Sequence, residues 1–371
     1  MLMMNRSNLD ILIKPVSGKC NMRCSYCFYA DEMKKRENAD RGIMDTETAA
    51  CIIKKAFSYG AQSLSIAFQG GEPALAGLDF YRFFVEKVRE YSNAGSKVSF
   101  AFQTNGLLID DEWAEFFREN GFLVGLSVDG SADIHNINRK DAAGKGTHSS
   151  VMKAAAVLKK HEVPFNVLTV VNAKVARSPQ TVYSFFMKNG LLYQQYIPCL
   201  DPIFEKRGGK DYSLTSELYG DFLIRLFKLW YNDRKEGKFV YISNFEDAAG
   251  ILLGEKPAGC GRLGVCSNQN VVEADGSVYP CDFYALDDYC LGNIREAEFE
   301  DFDEKRKAFI SQSRSGLDKC KECSVGFVCR GGCRRNRETP GGIGENYFCG
   351  AYKKFYEYAL PRLEELVEGY R

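Results

Sequence analysis

Three cysteines fall within eight residues in Cys20-Asn-Met-Arg-Cys24-Ser-Tyr-Cys27, a stretch that follows the extended apolar run from Leu9 to Pro15. The C-x-x-x-C-x-x-C spacing keeps all three sulfurs on one folded-back loop, so they converge on a single small inorganic centre. Iron-sulfur cubanes are normally held by four thiolates, and three leave one iron open to another ligand. A zinc site usually shows paired C-x-x-C or Cys/His spacings, and this loop has no nearby fourth Cys or His. A disulfide framework is disfavoured in a 371-residue chain without a secretory signal.

Composition points the same way. The chain holds 14 cysteines but shows no charged, apolar and small-residue leader to carry them to an oxidising compartment. No run approaches the roughly 18 apolar residues of a membrane helix. Because 49 Lys plus Arg balance 49 Asp plus Glu, net charge recruits neither nucleic acid nor an anionic membrane. The expectation is a cytoplasmic protein of an anaerobic cell, with metal centres and with one large and one small domain.

From residue 9 to residue 200, β-rich runs at 9–15, 64–68, 98–102, 122–128, 165–171 and 193–200 alternate with amphipathic stretches at 45–59, 78–92, 110–120, 149–161 and 179–189. Alternation of this kind implies parallel β/α units. Six of them predict an α/β fold, an open (β/α)6 TIM-like partial barrel, with chemistry at the C-terminal ends of the strands. Residues 201–259 break the rhythm and read as a bridge containing a helix from Leu214 to Lys235. The domain expectation is a barrel over 1–200, the bridge, a cysteine-rich domain over 260–350 and a C-terminal helix over 351–371.

The strand ends carry polar and glycine-rich motifs. In Gln69-Gly70-Gly71-Glu72-Pro73 the glycines allow close backbone approach to a ligand and the carboxylate accepts from an ammonium; a plain Gly-Pro turn is the competing reading. Gln103-Thr-Asn-Gly106 and Ser127-Val-Asp-Gly130 follow the next two strands, and Arg139 lies beyond them. Asn105-Gly106 reads equally as a turn and Arg139 as a surface ion pair.

Cysteine density rises again at Cys260, Cys266, Cys281, Cys320, Cys323, Cys329, Cys333 and Cys349. Eight thiolates suit two fully ligated cubanes or two zinc sites. Cys51, Cys199 and Cys290 are left as packing residues. The basic run Arg330 to Arg337 reads as a solvated charged face.

The residues also carry a resemblance. CNMRCSYC, with Tyr26 before the last cysteine, resembles the cluster loop of radical S-adenosylmethionine (radical SAM) enzymes. There the cofactor's methionyl amine and carboxylate fill the open iron site, and its reductive cleavage gives a 5′-deoxyadenosyl radical. The resemblance implies that Gln69, Gly70, Gly71 and Glu72 form the motif holding the methionyl amine. It also implies that Arg139 meets the carboxylate, Ser127 and Asp129 the ribose, and that Tyr26 and Leu200 lie beside the cofactor. C-x9-G-x4-C, then C-x2-C-x5-C-x3-C and a last cysteine, resembles the SPASM extension of such enzymes. It implies Cys260, Cys266, Cys281 and Cys333 on one auxiliary 4Fe-4S cluster and Cys320, Cys323, Cys329 and Cys349 on another, three clusters in all with Cys20, Cys24 and Cys27.

Together CSYCFYA, AFQGGEPALAG, QTNGLLID, GLSVDG, IHNINRKD, CLDP, DGSVYPCDFYAL and CRGGCRRNRE resemble anaerobic sulfatase-maturating enzymes over nearly the whole chain. Ala74 and Ser131 depart from the family's usual residues but are not ligands. The resemblance implies oxidation of a Cys or Ser in a sulfatase, within C-x-P-x-R or S-x-P-x-R, to Cα-formylglycine, with a flavodoxin or ferredoxin as electron donor. It implies Asp282, beside Cys281, as proton acceptor and Tyr29 as a substrate-positioning residue; the competing readings are a turn-capping Asp and a packing Tyr. The alternatives are a ribosomal-peptide-modifying radical SAM enzyme making crosslinks or epimers, and a non-catalytic zinc-binding interaction module. The short stretch before the first strand leaves no room for the N-terminal peptide-recognition domain that many crosslinking relatives carry.

Overall fold

The computed structural model describes residues 8–93 and 95–368. Six parallel strands form in chain order: β1 (Asn8–Lys14), β2 (Ser63–Phe68), β3 (Lys97–Thr104), β4 (Phe122–Ser127), β5 (Phe165–Val171) and β6 (Tyr193–Pro198). They match the six extended segments read from the sequence, the last ending two residues early at Pro198. Side chains alternate across each strand. Ile11, Ile13, Ile66, Phe68, Phe102, Val124, Leu126 and Val167 are buried, while Leu12, Ala67, Ala101, Gly125, Leu168 and Ile197 line a central cavity. Ala67, Ala101 and Gly125 are small, which leaves that space open. At Gly125 a Cβ would lie 2.4 Å from Gln103 Oε1, so glycine there makes room for the Gln103 amide.

Helices cover the outer face. Those over Thr46–Ser58 and Asp111–Glu119 start at Asp45 and Asp110, whose carboxylates accept from Thr48 N and Trp113 N. Such caps satisfy otherwise orphaned first-turn amides. Phe68, Tyr81, Phe84, Phe102, Trp113, Phe117 and Phe122 pack edge-to-face or tilted between helices and sheet, the geometry aromatic quadrupoles favour.

The sheet does not stop where the β/α rhythm stops. β7 (Tyr241–Ile242) adds in parallel beyond β6. On the other edge β8 (Asn270–Glu273) pairs in parallel with β1, and β9 (Ser277–Tyr279) and β10 (Gly292–Asn293) continue antiparallel. The result is one open ten-stranded sheet in the order β10-β9-β8-β1-β2-β3-β4-β5-β6-β7. It is a partial barrel extended at both edges, and the β1–β8 pairing sets a segment of the cysteine-rich region beside the N-terminal loop.

The bridge helix spans Ser216–Lys235 with Thr215 as its cap. It packs along the last helix, Cys349–Val367, through Tyr219 against Phe348 and Phe227 against Phe355. A Cβ at Gly220 would lie 3.2 Å from Ala351 Cα, so the two helices approach closely there. The terminal helix thus starts two residues before the expected 351, on a cysteine, and residues 369–371 lie outside the described residues.

Candidate active site

The Cys20–Cys27 loop leaves the end of β1 and is pinned by Arg23 N donating to Lys140 O at 2.7 Å and Ser25 N to Asn138 O at 3.1 Å. Cys20, Cys24 and Cys27 all line a cavity of about 590 Å³. All three are free thiols, and burial pushes Cys20 up to about 11 and Cys24 up to about 12. Buried thiols of this kind ionise when a metal centre takes their charge. Their convergence on one roomy, partly polar space fits a cluster with an open iron.

Gln69, Gly70, Gly71, Ser127, Arg139, Tyr26 and Leu200 line the same cavity. Gly71 has φ +58°, and a Cβ there would lie 2.0 Å from Lys19 O, so the strand-end turn packs directly on the residue before Cys20. Gln103 Nε2 donates to Ser127 Oγ at 3.1 Å.

Two of the expected residues, Glu72 and Asp129, sit behind this wall. Glu72 is fully buried and does not line the cavity. Its carboxylate accepts from Asn105 N at 2.7 Å, Thr104 Oγ1 at 2.8 Å and Ala74 N at 3.1 Å. With these donors bound, it braces the end of β3. Asp129 is likewise fully buried and off the cavity. It accepts from the Tyr26 hydroxyl, from Arg139 Nη2 at 3.2 Å and from Val170 N at 3.0 Å, and it pairs with Arg139 Nε at 3.1 Å. Asp129 therefore orients Arg139 and Tyr26, which do face the cavity.

Asp282 and Tyr29, separated by 253 residues, meet on the cavity wall. The Tyr29 hydroxyl donates to Asp282 Oδ2 at 2.6 Å, and Gln69 Nε2 lies 2.8 Å from both oxygens. Burial raises the Asp282 carboxyl above the usual range, with Lys14 and the Tyr29 hydrogen bond opposing it.

Behind Asp282 lies a network that the sequence reading missed. Lys14 Nζ is 3.2 Å from Glu273, 3.7 Å from Glu32 and 3.9 Å from Asp282, and 4.4 Å from the Tyr29 ring centroid. Arg36 is 2.7 Å from Glu273 and 3.6 Å from Glu32. Two cations and three carboxyls are thus buried together, so the carboxyls outnumber the cations by one. Burial pushes Glu32 up to about 8 against the pull of Lys14. Its oxygens accept no hydrogen bond among the described residues, which suits the protonated form. Lys14 is raised because Glu273, Glu32 and Asp282 together outweigh the lowering by burial. The one sequence signal was a lysine closing an apolar strand.

The later cysteines line more than one cavity, and Cys260, Cys329 and Cys333 share one of about 950 Å³. Cys260, Cys266, Cys281 and Cys333 also line the cavity of the first trio, while Cys320, Cys323, Cys329 and Cys349 ring one of about 50 Å³. Among the described residues no group of three or more His, Cys, Asp or Glu is arranged to hold a single metal ion. The quartets surround space instead, which fits clusters with several irons. The basic run is not a solvated face: Arg334, Arg335 and Arg337 are 3%, 3% and 1% exposed. They donate to Phe309 O, Asp201 O and Ser313 O, holding neighbouring loops around Cys333. Cys51 and Cys290 donate to the carbonyls of Ile294 and Gly292, and Cys199 is buried.

A partial barrel with a three-thiolate loop at the head of its cavity, faced by a cysteine-rich extension, defines a radical SAM enzyme with a SPASM domain. Residues 15–174 match the family model of the Radical SAM superfamily, and residues 260–324 match that of an iron-sulfur cluster-binding domain, SPASM. The cysteine-type anaerobic sulfatase-maturating enzyme of Clostridium novyi is 44% identical over 96% of this chain and 96% of its own. The serine-type enzyme of Bacteroides thetaiotaomicron is 32% identical over 96% of this chain and 90% of its own. A solved structure described as native anSMEcpe with bound AdoMet and Cp18Cys peptide superposes with a TM-score of 0.93 at 43% identity, covering 98% of this chain and 100% of that one. The chain belongs to the anaerobic sulfatase-maturating enzymes, and it uses S-adenosylmethionine and 4Fe-4S clusters.

Proposed function

We propose that this enzyme converts a cysteine of a sulfatase polypeptide to Cα-formylglycine. The higher identity to cysteine-type than to serine-type relatives supports cysteine as the target. In this reading Cys20, Cys24 and Cys27 hold the cluster that binds S-adenosylmethionine, beside Tyr26, Gln69, Gly70, Gly71, Ser127, Arg139 and Leu200. Cys260, Cys266, Cys281 and Cys333 hold one auxiliary cluster, and Cys320, Cys323, Cys329 and Cys349 the other. In this reading the barrel takes the described residues of 1–200, from residue 8 on, the bridge 201–259 and the auxiliary domain 260–350.

The observation that carries the reading is the Tyr29–Asp282–Gln69 triangle on a cavity shared with the first trio and the first quartet. When bound, the cofactors supply a primary alkyl radical able to take a hydrogen atom from a β-carbon and an acceptor for the remaining electron. Asp282 takes the thiol proton, a general-base role for which its raised pKa is suited. Loss of that hydrogen atom, proton and electron leaves a thioaldehyde, which water converts to the aldehyde with release of sulfide. Tyr29 and Gln69 hold the carboxylate in register, and Lys14 balances its charge. In this reading the protein works in the cytoplasm with a flavodoxin or ferredoxin as reductant. No described helix is long and apolar enough to cross a membrane.

The test is to incubate the reduced, reconstituted enzyme with cysteine and serine versions of a sulfatase peptide and weigh the products. Formylglycine from the cysteine peptide, with 5′-deoxyadenosine formed alongside, is expected. A crosslinked or epimerised peptide, or no 5′-deoxyadenosine, would overturn the proposal.

A further inference from the structure

The residue after β3, Asn105, is almost wholly buried and held on three sides. Its backbone N–H donates to Glu72 Oε2 at 2.7 Å, and the backbone N–H of Glu72 donates to Lys19 O at 2.8 Å. Thr104, beside it, is held by the same carboxylate. The buried glutamate thus ties the end of β3 to the residue before Cys20. The side-chain oxygen of Asn105 accepts from Leu107 N at 3.0 Å, which fixes which way the amide faces. Its Nδ2 then lies 2.7 Å from Asn21 Oδ1 and 3.6 Å from Cys20 Sγ.

A turn residue capping Leu107 needs only an oxygen, and aspartate would serve equally well. Among the described residues the nitrogen, on a side chain that lines the cavity, donates to Asn21 and the Cys20 sulfur. Hydrogen bonds to ligand sulfurs are among the factors that set the reduction potential of an iron-sulfur cluster. A donor draws charge from the thiolate and favours the reduced, more negative form.

We propose that Asn105 is a positioning residue that raises the reduction potential of the cluster held by Cys20, Cys24 and Cys27 through an N–H···S bond to Cys20, with Glu72 as the buried strut that holds it there. The proposal rests on the ligand assignment given under Proposed function. Asn105 eases delivery of the electron that cleaves the cofactor, and it does so without touching the reacting atoms.

The experiment compares reconstituted holoenzyme with Asn105→Ala and Asn105→Asp, each first assayed for iron and sulfide. The electron paramagnetic resonance signal that changes on adding S-adenosylmethionine marks the N-terminal cluster, and its midpoint potential is titrated in each protein. A shift to more negative potential in Asn105→Ala is expected, larger in Asn105→Asp. With it, 5′-deoxyadenosine formation slows under a weak reductant and recovers under a strong one. If either variant loses iron, Asn105→Ser is titrated in its place. Variants that hold iron and titrate at the parent's potential would overturn the role of Asn105. A parent protein with iron but no signal responsive to S-adenosylmethionine would instead overturn the ligand assignment beneath it.

Discussion

The trio Cys20, Cys24 and Cys27 and the quartet Cys320, Cys323, Cys329 and Cys349 face different kinds of space. The trio opens on about 590 Å³ shared with Gln69, Ser127 and Arg139; the quartet rings about 50 Å³. A centre one thiolate short has a use only where a second ligand can reach it, and a centre with four needs no such room. The Cys260, Cys266, Cys281 and Cys333 quartet combines the two, fully furnished with thiols yet on the same cavity wall as the trio. In the proposed assignment, ligand number and cavity size together, rather than cysteine count alone, separate the reacting centre from the auxiliary ones.

The sharpest way to break this comparison is substitution of the cysteines themselves. Cys24→Ala is expected to abolish 5′-deoxyadenosine formation to background. Cys320→Ala should remove the iron of one cluster while cofactor cleavage persists, measured by iron content and product chromatography. If both variants lost cofactor cleavage alike, the distinction between open and closed centres would fail. Next in size, Asp282→Asn should leave iron content unchanged and lower formylglycine yield by about 10²–10⁴-fold, the usual worth of a positioned general base. Tyr29→Phe removes one hydrogen bond to that carboxylate, and a loss of roughly tenfold to a hundredfold in turnover is expected with Asp282 retained.

The smallest effect concerns Glu32. Its folded pKa of about 8 lies above the ordinary 4.5. Below 4.5 both folded and unfolded states hold the proton and the contribution to stability is complete. As pH rises, the unfolded chain releases the proton first, so stability is lost progressively up to about 8. Glu32→Gln, which fixes the neutral form, should flatten that decline. Denaturant unfolding of both proteins across this range checks it, and parallel curves would show that Glu32 is not the group whose raised pKa sets the decline.

Much of the barrel was legible because its signals are local. Strands at 64–68, 98–102 and 165–171 alternate or run apolar over short windows, and helices such as 78–92 repeat at their own period. The cysteine loop was legible for the same reason, since its three sulfurs fall within eight residues. Gly70, Gly71, Ser127 and Arg139 stand on the cavity where the motifs led one to look. Glu72 and Asp129 do not, because motif spacing carries no information about the direction of a side chain at a strand end. The arginines of 334–337 deceived for a related reason: charge in a sequence reads as solvent exposure until the carbonyls that satisfy it are known.

Sequence alone determined the three-thiolate loop, the six β/α units and the supply of eight further thiols, all consequences of spacing within a few residues. Tertiary structure decided which of the eight face the cavity of the trio, how Lys14 meets Glu273 across the β1–β8 pairing, and how Tyr29 reaches Asp282. These contacts depend on which strand joins which edge of the sheet and in what register. That choice is made by burial summed over the whole core, and no short window of residues contains it.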